Sequence, residues 1–167
     1  MEERINEPVT TASASADFVE AVMSGLQLKK MDPLNYSSLA LAYIGDDAYD
    51  LIIRTYLLND GNAQVNKINK RANHLVKAGT QSAMMRVIEP MLNDTEMGFY
   101  KRGRNAKSQT KAKNATVGDY RRATGFEALM GYLYLEGRYE RMVELVRAGI
   151  EAVQENAEES KKTEDIR

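Results

Sequence analysis

The run SSLALAYIGDDAYDLIIRTYLL, residues 37–58, reads as one long apolar helix. Leu41, Ile44, Ala48, Leu51, Ile52 and Tyr56 recur at helical spacing and predict a broad buried face. The run stops at Asn59-Asp60-Gly61, a turn signal. Before it, Pro33 and Asn35 mark a break with a candidate N-cap, and Asp17 to Leu28 carries Phe18, Val22 and Leu26 as a short first helix. Residues 1–16 are polar and small and are expected to be disordered.

Beyond the turn, Ala63 to Ala78 reads as a more polar helix with Val65, Ile68, Ala72, Leu75 and Val76 inward and Gly79 as its C-terminal cap. A helix from Thr80 to Ile88 precedes Pro90. Asn93 with Glu96 three residues on resembles a capping box and opens a short helix into Lys101. Gly103 to Gly118 lacks periodicity and reads as a loop. Thr116 with Asp119 then starts a helix to Glu136, ended by Gly137, with Phe126, Leu129, Met130 and Leu133 as its core stripe. The last helix, Tyr139 to Val153, buries Met142, Leu145, Val146 and Val153. No segment alternates as a half-buried strand does, so the fold is expected to be all-α in a single helical domain, residues 17–153, followed by a charged, frayed tail over 154–167.

The 167 residues suit one domain with a real core, and 43% hydrophobic with 28% charged residues is ordinary for a globular protein. Cysteine is absent, which excludes disulfides, thiolate nucleophiles and cysteine-ligated zinc and suits a reducing compartment such as the cytoplasm. The single histidine, His74, sits beside Asn73 and Lys77 and reads as a surface or capping residue. Hydrolytic chemistry would therefore rest on carboxylates, hydroxyls, lysines and metal ions. There is no apolar run long enough to span a membrane, and the first 16 residues, with three glutamates, do not resemble a signal peptide.

The net charge of −1 conceals a strong segregation. Lys101 to Arg122 holds eight basic side chains against Asp119 alone, a local charge of +7 that leaves −8 for the remainder. Such a patch can hold a polyanion while the rest of the surface stays acidic. A solvated charge run is the simpler reading, and its density against an acidic chain favours polyanion binding.

Two polar intrusions interrupt the two most apolar helices. The first is Ile44-Gly45-Asp46-Asp47-Ala48, with Asp50 a turn beyond Asp46. The second is Thr124-Gly125-Phe126-Glu127-Ala128-Leu129, with Gly131 a turn ahead of Glu127. On spacing alone each has a structural reading: Gly45 permits close packing while Asp46 and Asp50 face water and pair with Arg54, and Glu127 is a rim residue paired with a nearby cation. Taken together, they offer two carboxylates on packed helices that can meet in one site. Carboxylates without histidine or cysteine suit hard cations, magnesium above all, and magnesium beside a basic loop suits a phosphate ester substrate.

Three segments carry a family resemblance. Leu39 to Ala48 resembles the signature helix of the ribonuclease III catalytic domain in its Mini-ribonuclease III form. Lys101-Arg102-Gly103-Arg104-Asn105-Ala106-Lys107-Ser108 resembles that subfamily's basic loop, and Tyr120 to Leu135 resembles its second catalytic helix. The resemblance spans roughly residues 36–150. It implies a homodimer, with one site for each strand of the substrate, and magnesium-dependent cleavage of double-stranded RNA that leaves a 5′-phosphate and a 3′-hydroxyl. It places the two catalytic and metal-binding carboxylates on Asp46 and Glu127. It further implies a role in maturing large-subunit (23S) ribosomal RNA precursor, with a ribosomal protein on the substrate as a further partner. Classical members append a double-stranded-RNA-binding domain; the tail after the last predicted helix is too short for one, as expected of the Mini form.

Classical enzymes carry two further carboxylates, at positions held here by Ala42 and Thr124, so Thr124 or Asp50 becomes a candidate to complete a metal shell with water and phosphate oxygens. Arg102, Arg104, Lys107, Lys111 and Lys113 are the candidate RNA-binding residues, reading duplex shape through backbone phosphates. The competing class is a non-catalytic RNA-binding protein that keeps the fold. Retention of Asp46 and Glu127 argues against it, and the +7 segment argues against a helical adaptor with no RNA role.

Overall fold

The computed structural model describes residues 17–59, 61, 63–107 and 115–164. Among the described residues there are seven α-helices and no strand: α1 (Phe18–Gly25), α2 (Ser38–Leu58), α3 (Val65–Val76), α4 (Ala78–Ile88), α5 (Asp94–Arg104), α6 (Val117–Leu135) and α7 (Tyr139–Glu164). Short 3₁₀ turns at Pro33–Asn35 and Glu89–Met91 precede α2 and α5. The chain divides into two compact units, Met1–Lys30 and Met31–Arg167. The first contains α1, whose N-cap Asp17 accepts the Glu20 amide at 2.9 Å. The second contains α2 to α7 and the core.

Local chemistry starts most of these helices. Ser37 caps α2 through the Ala40 amide at 3.1 Å. Asn93 and Glu96 form a reciprocal capping box on α5, and the Thr116 hydroxyl caps α6 through the Asp119 amide. These caps satisfy amides that a helix start leaves without partners. Gly79 does not cap α3: the chain turns at Lys77, in extended backbone (φ −69°, ψ 149°), and Gly79 lies in the first turn of α4. Helix α7 continues to Glu164, where the sequence predicts a frayed tail from Gln154. The expected disorder of residues 1–16 lies outside the described residues.

Helices α2 and α6 cross at two glycines, and the core forms around the crossing. A Cβ on Gly45 would fall on the Glu127 carbonyl oxygen and lie 2.5 Å from the Gly131 amide nitrogen, and one on Gly131 would meet the Leu41 carbonyl. Side chains cannot fit there, so the backbones touch. Tyr49 packs edge-on against Phe126 at 4.9 Å, with Leu41, Ile53, Leu57, Leu129 and Met130 sealed around them. The Tyr49 hydroxyl donates to the Leu75 carbonyl at 2.9 Å and fastens α3.

The α6 stripe is as its sequence predicts: Phe126, Leu129, Met130 and Leu133 are fully buried. The inward face of α2 is different. Leu41, Ala42, Gly45, Tyr49, Ile53 and Leu57 point in, while Leu51 and Tyr56 remain exposed. Gly45 explains the rotation, because the backbone contact with α6 requires that edge of α2 to face inward. Leu51, Ile52 and Tyr56 instead line an apolar groove against α7.

Candidate active site

The crossing places the two intrusive carboxylates together. Asp46 follows the glycine that touches α6, and Glu127 supplies the backbone which that glycine touches. Both side chains line one cavity of about 330 Å³, together with Leu39, Ala42, Tyr43, Asp47, Tyr120 and Thr124. Two residues 81 positions apart in sequence thus share a site because two helices approach without intervening side chains.

Their electrostatics follow from this enclosure. Glu127 is pushed up to about 8, by burial first and then by the Asp46 charge. Asp46 is raised as well, through desolvation of its carboxyl and the neighbouring charges of Asp47 and Asp50. The repulsion falls mainly on Glu127, the more enclosed partner. Two carboxylates in one cavity resist being charged together, and a bound cation removes that resistance.

Ala42 and Thr124 both line the cavity, beside the two carboxylates. Ala42 contributes no polar atom. The Thr124 hydroxyl donates to the Tyr120 carbonyl at 3.0 Å, one turn back, so its proton is engaged and its lone pairs remain as acceptors. Asp50 does not line the cavity; it pairs with Arg54 at 2.6 Å, as the structural reading of that carboxylate holds. Asp47, Tyr43 and Tyr120 also line it, and the sequence assigned none of them to the site. Tyr43 and Tyr120 lie one helical turn before Asp46 and Thr124, and Asp47 is the second residue of the Asp46-Asp47 pair.

The donor set is all oxygen: the facing carboxylates of Asp46 and Glu127, with Asp47 also on the lining and Thr124 as a neutral acceptor. Among the described residues, no three His, Cys, Asp or Glu side chains converge at metal-binding separation. A two-carboxylate set fits magnesium, which keeps several waters and is commonly held by one or two carboxylates plus substrate phosphate. The residues present therefore fit the hard cation that the sequence implies.

The basic segment is divided. Arg102 is half-buried and serves the protein's own packing: its Nη2 donates to the Tyr36 carbonyl at 3.1 Å, and its guanidinium lies 5.5 Å from the centre of the Phe99 ring. Arg104 lies over Tyr100 at 5.4 Å and approaches Glu89 at 4.0 Å. Lys107 is exposed. Lys111 and Lys113 lie outside the described residues. The far end of the loop is anchored, because Asp119 accepts from Ser82 on α4 at 2.7 Å and from Thr116 at 2.8 Å. His74 is exposed near the end of α3, where its carbonyl accepts the Thr80 hydroxyl at 2.6 Å.

Comparison with known proteins gives consistent matches. The ribonuclease III domain family matches residues 39–138, from the signature helix past α6. The chain is 44% identical to the Mini-ribonuclease 3 of Clostridium tetani over 80% of its own length and 89% of the relative's. It is 48% identical to the Mini-ribonuclease 3 of Enterococcus faecalis, over 73% of this chain and 94% of that one. A crystal structure of a Fusobacterium nucleatum protein superposes with a TM-score of 0.65 at 32% identity, covering 70% of this chain and 93% of that one.

Proposed function

This chain belongs to the Mini-ribonuclease 3 branch of the ribonuclease III family and is an endoribonuclease of that type, and from that premise we propose that it cleaves double-stranded RNA with magnesium at Asp46 and Glu127. The observation that carries the reading is the shared cavity of these two carboxylates at the α2–α6 crossing. A protein that only bound RNA would have no use for enclosing Glu127 next to a second carboxylate.

Asp46 and Glu127 would hold magnesium, which when bound supplies charge stabilisation at the scissile phosphate and acidifies water. The protein's part is to hold both carboxylates at a fixed spacing, on two helices locked by glycine contact, where a bound cation would favour their charged forms. The cavity lining includes no cysteine, histidine or lysine and the Thr124 proton is engaged with the Tyr120 carbonyl, and we assign water as the nucleophile. Thr124 fixes its own rotamer through Tyr120 and presents an oxygen acceptor to the cavity.

Contacts to the RNA backbone are assigned to the basic segment, with Arg104, Lys107, Lys111 and Lys113 as phosphate partners and Arg102 holding the segment's base against Tyr36, just ahead of α2. Leu39 and Tyr43, 41% and 77% exposed beside the cavity, support a twofold interface along the start of α2 that sets one site for each strand. We assign the substrate to duplex regions of large-subunit ribosomal RNA precursor, with a ribosomal protein bound to that RNA as a second partner, and the location to the cytoplasm. No described helix is long and apolar enough to cross a membrane.

The test is cleavage of a long RNA duplex with and without magnesium, by the native chain and by Asp46→Asn and Glu127→Gln. Cleavage that needs magnesium and both carboxylates supports the assignment. Near-normal turnover by either variant in excess magnesium would remove it.

A further inference from the structure

Three consecutive polar residues, Thr80, Gln81 and Ser82, are buried in the first turns of α4. Two of them have partners: Thr80 donates to the His74 carbonyl, and Ser82 donates to Asp119 on α6. Gln81 is fully buried, yet neither its Nε2 nor its Oε1 makes a hydrogen bond. A buried amide left without partners costs about 1–3 kcal/mol, so its presence calls for an explanation.

Its placement supplies one. The Ser82–Asp119 bond pins the start of α4 to α6, and Gln81 is the adjacent residue on that turn. Its amide comes near the Glu127 carboxyl, close enough to temper that group's rise without meeting hydrogen-bond geometry. Gln81 is not among the residues lining the cavity, so it does not compete for the cation or the RNA.

We propose that Gln81 is a positioning residue for the metal site: its buried Nε2–H₂ donates to the Glu127 carboxylate once a divalent cation is bound, fixing the rotamer in which Glu127 faces Asp46. The inference rests on the reading of Asp46 and Glu127 as the metal-holding pair. Groups that orient a ligand from behind are typically worth 10–100-fold in metal affinity or activity. Glutamine suits the task because it donates without adding another negative charge to a crowded site.

The experiment measures manganese binding to the RNA-free protein by electron paramagnetic resonance, alongside duplex cleavage, for the native chain, Glu127→Gln and Gln81→Met. Methionine keeps the approximate length and removes both orphaned polar atoms. The expected result is an unchanged or raised melting temperature for Gln81→Met, a manganese affinity weaker by about 10–100-fold, and a lowered kcat with an unchanged duplex KM. A Gln81 that only filled space would alter melting and leave affinity and kcat alone; that result overturns the inference. Should the native protein bind no manganese, or Glu127→Gln bind it normally, the metal-site reading itself fails, and the inference with it. The native chain offers a second measurement that needs no Gln81 variant. The Gln81 side-chain amide resonance should shift when magnesium is added and stay fixed in Glu127→Gln; a native resonance indifferent to saturating magnesium overturns the proposal.

Discussion

Gly45→Ala tests whether the glycine crossing builds the site. The added Cβ would sit on the Glu127 carbonyl oxygen, 2.5 Å from the Gly131 nitrogen and 2.8 Å from the Glu127 carbonyl carbon. Comfortable contact needs about 3.5–4.0 Å, so α2 and α6 must part by roughly 1 Å. All three obstacles are helix backbone, which cannot swing aside as a side-chain end can. Overpacking of this kind costs about 1–3 kcal/mol, against a gain of about 0.5–1 kcal/mol from replacing glycine within a helix. The net expectation is a loss of about 1–2 kcal/mol, read as a lower urea midpoint with unchanged slope. Activity should fall further than stability does. A misplacement of about 1 Å between catalytic groups can cost about 100-fold, and here the separating elements carry the two carboxylates themselves. Single-turnover duplex cleavage at a temperature where the variant is fully folded isolates that effect. Gly98→Ala is the control: Gly98 is inside α5 with nothing within 4 Å of its added Cβ, so the variant should gain about 0.5–1 kcal/mol and cleave normally. If Gly45→Ala is as stable as Gly98→Ala and cleaves at the native rate, the crossing does not set the site.

Four further outcomes follow from other parts of the molecule. Neutralising Lys107, Lys111 and Lys113 together should weaken duplex binding equally for different sequences, and should flatten the log–log dependence of affinity on salt by about 2–3, since each phosphate contact contributes about 0.7–0.9; an unchanged slope would move the RNA surface elsewhere, with Lys67, Lys70 and Lys77 the next candidates. Arg141 binds the buried Glu96 carboxylate through Nε at 2.9 Å and Nη2 at 3.0 Å, so Arg141→Met should cost about 3–5 kcal/mol in urea unfolding by stranding that charge, and a loss under 1 kcal/mol would contradict it. Burial alone would raise Glu96, but the Arg141 hydrogen bond, the Asn93 amide and the charges of Arg141 and Arg138 hold it below the ordinary glutamate range; its stabilisation is therefore present above that range and lost as pH falls through the lowered value, and Glu96→Gln should flatten this acid limb of a stability–pH curve. Sedimentation should show a dimer at micromolar concentration, and replacing Leu39 and Tyr43 with charged residues should yield monomers; a native monomer would refute the twofold interface.

The elements whose chemistry is local were legible in the sequence. The α6 stripe, the Asn93 capping box and the Thr116 cap each depend on residues within a turn or two of one another. The rotation of α2 was not legible, because that helix is apolar around most of its circumference and periodicity alone cannot choose a face. Gly45 and Gly131 choose it, and a glycine reveals its contact only when the opposing backbone is known. Gly79 misled for a related reason: glycine suits a C-terminal cap, but Lys77 had already turned the chain. The extension of α7 carries no apolar repeat to mark it, and it proceeds through charged residues such as Glu158 and Glu159. At the site, Asp46 and Glu127 were singled out as polar breaks in apolar helices. Asp50 was offered beside Thr124 to complete the shell, but Arg54 lies one turn away and pairs with it instead. Gln81 gave no signal, since a glutamine near a helix start looks like any solvated residue until its burial is known.

The most direct test of Asp46 and Glu127 as a single site is a double-mutant cycle in magnesium-dependent, single-turnover cleavage of a long RNA duplex. Asp46→Asn and Glu127→Gln preserve size and remove the charge that holds the cation. Groups acting as one unit are strongly non-additive. Each single variant should therefore lose nearly all cleavage, and the double variant should be no slower than the slower single one, with circular dichroism and duplex binding intact throughout. Losses that multiply, or near-native cleavage by either single variant, would show that the two carboxylates do not act together.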